Sequence, residues 1–157
     1  VSLSEDKKYF GLTGTFSVDG NQIRLLIPTT YMNRSGQATS ALANFFKIPT
    51  TQMLVAHDEL DLPPGTVRLK VGGGHGGHNG LKDIVRCHGN QSNFVRLRIG
   101  IGHPGSAELV TPHVLGKPSA ADRDKIERAV DEAVSYSADI LRGDISRVMN
   151  SLNGFKA

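Results

Sequence analysis

The chain has 157 residues, of which 38% are hydrophobic and 21% charged, the proportions of one globular domain that buries its core without covalent staples. No apolar run approaches the roughly 18 residues needed to cross a bilayer, and the polar opening Val1-Ser-Leu-Ser-Glu-Asp-Lys-Lys carries no secretory signal. The single cysteine, Cys87, excludes an intramolecular disulfide framework and a Cys-rich zinc module, and it fits a reducing, cytoplasmic setting. Of the formal net charge of +3, the whole excess falls in residues 61–104, where Arg68, Lys70, Lys82, Arg86, Arg96 and Arg98 face only Asp61 and Asp83. Such a patch suits a phosphate-bearing partner or an ordinary solvated face.

In chain order, Tyr9 to Val18, the turn signal Asp19-Gly20 and Ile23 to Ile27 read as a hairpin that Pro28 ends. Ser35 is placed to cap a helix with apolar positions Ala38, Leu42, Phe45 and Phe46. Met53 to Ala56 is a short continuous apolar run, as in a buried strand, and it stops at His57-Asp58-Glu59-Leu60-Asp61 before Pro63-Pro64-Gly65. Thr66 to Lys70 alternates as a strand, and a glycine-rich loop from Gly72 to Gly80 leads to a short helix with Asn79 at the cap. Phe94 to Ile101 is another strand, broken by His103-Pro104-Gly105. Ser119 caps a long helix through Ile126, Val130, Ala133, Val134, Ser137 and Leu141; Gly143 stops it, and Asp144 caps a last helix to Leu152. Five strands and four helices, with no repeat and no linker, imply a single α/β domain over residues 1–157 with a twisted mixed sheet flanked by helices.

Several residue groups could carry chemistry. Gly72, Gly74 and Gly77 fit G-x-G-x-x-G, in which bare backbone approaches a pyrophosphate, but the following strand carries Arg96 and Arg98 in place of an acidic ribose ligand. The other readings are a loop whose glycines serve turns and a loop left bare for a large ligand. Zinc would need three or four convergent ligands. His57, Asp58, Asp61, His75 and His78 include no helical pair at i, i+4, so loop histidines held by local hydrogen bonds are the better reading. Asp58 directly follows an apolar strand, at a sheet edge where a carboxylate can orient a histidine base or simply form an Asx-turn. Asn33 and Asn79 stand at loop-to-helix junctions, where an amide caps a helix or holds a polar ligand. Tyr31 can stack on a base or a ribose, although an aromatic residue there is more often core. Cys87 reads as helix filler.

Four ordered motifs then converge. Pro28-Thr-Thr-Tyr-Met-Asn-Arg-Ser-Gly36, His57-Asp-Glu-Leu-Asp-Leu-Pro-Pro-Gly65, Gly72-Gly-Gly-His-Gly-Gly-His-Asn-Gly-Leu81 and Arg96-Leu-Arg-Ile-Gly-Ile-Gly-His-Pro-Gly105 resemble the bacterial peptidyl-tRNA hydrolases, over essentially the whole chain. The resemblance implies cleavage of the ester joining a peptide to the 3′ end of tRNA. It also implies that no metal or cofactor is needed; separately, no long heptad or large apolar stripe asks for a partner copy and no apolar run for a membrane, so a monomer without membrane contact is expected. It makes Asp58 the carboxylate that orients the base histidine. Asn33 and Asn79, joined by Tyr31, become contacts to the tRNA end, and Lys70 and Arg98 a clamp for its phosphate. His78 and His103 are further ring candidates near the site. In the family a further N-terminal stretch carries the base histidine, and none of the six histidines here falls at that position. The alternative expectation is therefore a tRNA 3′-end binding module without catalysis.

Overall fold

The computed structural model describes residues 1–157 and contains two compact units. The first comprises Val1–Met53 and Val71–Val95, and the second Leu54–Lys70 and Arg96–Ala157. The α/β class is as the sequence implies, with the strands shared between two three-stranded sheets. No helix is long and apolar enough to cross a membrane.

In the first unit, β1 (Ser4–Asp6), β2 (Gly11–Val18) and β3 (Asn21–Pro28) form an antiparallel sheet in that order. Val18 pairs with Asn21, so Asp19 and Gly20 alone make the turn, at φ 49° and 81°. Two positive φ values in a two-residue loop give the twist that antiparallel strands need. The polar β1 escapes a hydrophobicity pattern because pairing with β2, not burial, makes it a strand. A 3₁₀ turn, Met32–Arg34, leads into α1 (Ser35–Phe45), and α2 (Asn79–Cys87) packs against both. The core here contains Tyr9, Ala38, Leu42, Ala43, Leu81, Ile84 and Phe94. Tyr9, Phe45 and Phe46 meet in edge-on and tilted ring contacts, and the Arg24 guanidinium lies 3.3 Å above the Phe46 ring.

In the second unit the sheet order is β4 (Leu54–Glu59), β6 (Val95–Gly100), β5 (Val67–Val71). The bonds Val95 N–H to Met53 O and Ile101 N–H to Glu59 O run in one sense, so β4 and β6 are parallel. Gly100 N–H to Thr66 O and Gly72 N–H to Phe94 O make β6 and β5 antiparallel, so this sheet is mixed. The apolar run of β4 is not a fully buried strand: it lies at the sheet edge, with Leu54 41% exposed. The outer edge of β5 is closed by Asn153, whose amide accepts from Leu69 N–H and donates to Leu69 O.

The helices of this unit are α3 (Val110–Leu115), α4 (Ala120–Ser135), α5 (Ser137–Leu141) and α6 (Ile145–Leu152). The expected long helix breaks at Tyr136, and its buried stripe runs through Ala129 and Ala133 while Val134 is exposed. Ser119 does cap α4, accepting from Asp122 N–H. Asp144 does not cap α6 through its side chain, which instead accepts from Arg147. α3 is too short to show a period, and Pro112 in its first turn suits a helix start as well as a break.

Candidate functional site

The first unit presents Tyr31, Asn33 and Asn79. Tyr31 is 83% exposed, so it is not a core aromatic. Asn33 lies in the 3₁₀ turn, exposed, and its amide makes no hydrogen bond. Asn79 is not the cap of α2. His78 takes that place, its Nδ1 accepting from Leu81 N–H at 3.1 Å, and Asn79 becomes the first helical residue, exposed and with its amide unspent. The two asparagines are fixed to one body. A Cβ at Gly80 would lie 2.6 Å from Met32 Sδ, so the turn that carries Asn33 rests directly on the start of α2.

The predicted Ser35 cap is also absent. The Ser35 hydroxyl donates back to Met32 O at 2.7 Å, and α1 takes its acceptor from a distant residue: Asp83 Oδ2 receives Gly36 N–H at 2.8 Å, both groups buried. Asp83 Oδ1 accepts from Arg86 Nη2 at 2.6 Å and from its Nε at 3.2 Å. In the glycine loop, Gly72, Gly73, Gly76 and Gly77 all have positive φ, and nothing lies within 4 Å of a Cβ built at Gly76 or Gly77. These glycines serve backbone turns, and His75 Nδ1 accepts from Gly77 N–H within the same loop. No group of three or more His, Cys, Asp or Glu side chains is gathered to hold a metal ion.

The second unit presents Asp58, Lys70 and Arg98. The antiparallel register sets Arg98 opposite Arg68 and Lys70 opposite Arg96, so all four cations share one face. Lys70 is exposed, as a phosphate contact requires. Arg98 is not an open cation: its Nε donates to Glu59 Oε1 at 2.8 Å. Burial alone would raise the Glu59 pKa, but the Arg98 hydrogen bond, the Asp61 N–H and the charges of Arg98 and His57 outweigh it and hold the carboxyl below its ordinary value. Arg96, 4% exposed, donates from Nε to His57 Nε2 at 3.3 Å. The other ring nitrogen, Nδ1, donates to Asp58 O at 2.8 Å. Burial first, and Arg98 second, lower the Arg96 pKa, against the opposing charge of Glu59. The half-buried Asp58 thus has its peptide carbonyl held by the buried His57 ring. His103, the other ring candidate, accepts from Gly105 N–H in its own loop.

Residues 1–157 match the model of the peptidyl-tRNA hydrolase family. The chain belongs to that family. It is 74% identical to a peptidyl-tRNA hydrolase of Alcanivorax borkumensis, over all of this chain and 80% of that protein. It is 59% identical to one of Pseudomonas putida, over all of this chain and 81% of that protein. The crystal structure of peptidyl-tRNA hydrolase from Acinetobacter baumannii superposes with a TM-score of 0.94 at 48% identity, covering 99% of this chain and 78% of the other.

Beside the peptidyl-tRNA hydrolase motifs, the fold gives structural work to three side chains to which the sequence assigned no place in the tRNA site. His57 and Arg96 are 39 residues apart and meet only because β4 and β6 pair. Asp83, counted from the sequence only as an acidic residue, gains its role once α1 is seen to lack a local cap.

Proposed function

We propose that this chain releases peptides from peptidyl-tRNA by hydrolysing the ester at the tRNA 3′ end, and that it acts as a cytoplasmic, monomeric, single-domain tRNA-binding enzyme. The observation that carries this is the match of the entire chain to the family, with a relative of that name at 74% identity. The non-catalytic binding module is not favoured by those relatives, which are named as hydrolases.

In the reaction a water molecule gives a proton to a general base, and its oxygen bonds to the ester carbonyl carbon. The bond to the ribose 3′ oxygen then breaks, and that oxygen takes up a proton. Asp58 orients the base histidine. The amides of Asn33 and Asn79 hold the tRNA end and order the site, supplying donors where negative charge develops. Tyr31 stacks on the terminal nucleoside, and Lys70 with Arg98 grips its phosphate. The exposure of Tyr31, Asn33, Asn79 and Lys70, and the unspent amides, support these roles.

The test is hydrolysis of an N-acetylated aminoacyl-tRNA against the unblocked aminoacyl-tRNA. Selective cleavage of the blocked ester is expected; equal cleavage of both would refute the assignment.

A further inference from the structure

We propose that Asp83 is a positioning residue that sets Asn33 against Asn79 by acting, from α2, as the N-terminal cap of α1. The inference rests on the reading of the two asparagines as substrate contacts.

The first turn of a helix leaves N–H groups without an internal partner, and a nearby side chain normally accepts them. At α1 the local side chains do not. Arg34 occupies the cap position without a side-chain bond, and the Ser35 hydroxyl is turned back to Met32 O. The Asp83 carboxylate, 47 residues away in sequence and 6% exposed, accepts Gly36 N–H in their place. A carboxylate at this end also meets the positive end of the helix dipole. Its other oxygen is held by Arg86, which orients the acceptor. Gly36 lets the helices close fully, because a Cβ there would run into the Asp83 carbonyl.

Asn33 sits three residues before Gly36, in a turn whose Met32 sulfur rests on Gly80. Asn79 begins the helix that carries Asp83 one turn further on. The carboxylate therefore closes a short loop of contacts from Asn79 through Asp83 and Gly36 back to Asn33. Releasing it frees the turn to shift relative to α2, and displacements of about 1 Å suffice to cost two orders of magnitude in rate.

The experiment compares Asp83→Leu and Asp83→Asn, each alone and with Asn33→Ala, using N-acetylaminoacyl-tRNA in the active protein. Near-UV circular dichroism reports the folded fraction, and hydrogen exchange reads the Gly36 amide. Asp83→Leu should lower kcat/KM at least about tenfold at unchanged folded fraction, with Gly36 N–H exchanging faster. Asp83→Asn keeps an acceptor oxygen and should stay within about threefold of wild type. In the Asn33→Ala background, Asp83→Leu should add less than about twofold, because a displaced contact cannot be lost twice. Equal losses in both backgrounds, or an Asn variant no better than the Leu variant, would overturn the proposal. Should Asp83→Leu not fold, Asp83→Asn decides alone: kcat/KM falling while Gly36 N–H stays protected overturns it, and both staying near wild type supports it. If Asn33→Ala by itself leaves kcat/KM unaltered, the substrate-contact reading fails. If Asn33→Ala lowers it and folded Asp83→Leu does not, only the positioning role fails.

Discussion

Replacing Gly36 by alanine adds one methyl group at the tightest point between α1 and α2. That carbon would press against the Asp83 carbonyl, 2.7 Å from its carbon and 2.8 Å from Oδ2, where 3.4–4 Å is ordinary contact. Relief requires the helices to part, which also stretches the buried bond from Gly36 N–H to Asp83. Overpacking of this kind costs about 1–3 kcal/mol. Loss of a buried hydrogen bond that leaves its partner unsatisfied costs about 1–3 kcal/mol more. Alanine returns about 1 kcal/mol through its better helix propensity. The net destabilisation is about 1–5 kcal/mol, and its midpoint of about 3 kcal/mol corresponds to a Tm lower by about 6–12 °C for a chain of this size. The assay is thermal unfolding followed by circular dichroism, with Gly154→Ala as the control, since nothing lies within 4 Å of a Cβ there. A Gly36→Ala melting temperature equal to wild type or above it would refute the close approach, and with it the carboxylate cap.

Three further outcomes follow from the same geometry. Lys70→Ala and Arg98→Ala should each weaken tRNA binding and flatten the dependence of log K on log[salt] by about 0.7–0.9, checked by titration across a salt series. Arg98→Ala alone should also lower stability, because it leaves Glu59 without its ion-pair partner. Asp58→Asn should slow single-turnover hydrolysis by about 10²-fold or more with tRNA affinity unchanged; an unaltered rate removes the orienting role. Burial lowers the His88 pKa below its ordinary 6.5, so the fold favours the neutral ring that bonds Thr39. The stability this contributes is complete above about pH 6.5 and is lost as pH falls from there toward the folded pKa. Urea midpoints should therefore decline over that window in wild type and decline less in His88→Gln. The depressed Glu59 carboxyl acts separately and further down, below its ordinary 4.5.

Much of this was legible in the residues, and the failures share a cause. The hairpin at Asp19-Gly20, the Ser119 cap and the strand carrying Arg96 and Arg98 were readable because each is decided by neighbours in sequence. Most of what could not be read is decided by pairing and contacts that the local sequence pattern does not carry. β1 is a strand only because β2 pairs with it, and β4 is exposed only because it lies at the sheet edge. Asp83 displaces Ser35 as the acceptor for α1, and His78 takes the cap expected of Asn79. The last error is instructive for the site. With the capping work done by a histidine ring, the Asn79 amide is left over, and an exposed, unspent amide is what a polar ligand needs.

The charge distribution bears the same lesson further. A window along the sequence places the whole excess in residues 61–104, but the fold divides it differently. The first unit holds seven Lys and Arg against four Asp and Glu, and the second holds eleven of each, so the entire +3 belongs to the first. The second unit, neutral in sum, nevertheless gathers Arg68, Lys70, Arg96 and Arg98 on one sheet face, with Glu59 tying up Arg98. At physiological salt, charges more than about 8 Å apart are largely screened, so net charge governs solubility and long-range attraction, while a phosphate is gripped by what lies within reach. In the clamp proposed above, Lys70, exposed on that face, would meet a polyanion without first breaking an ion pair, whereas Arg98 would trade Glu59 for the phosphate. A clamp of this kind binds by exchange at one of its two positions, so removing Glu59 should strengthen tRNA binding through Arg98 while leaving the contribution of Lys70 untouched.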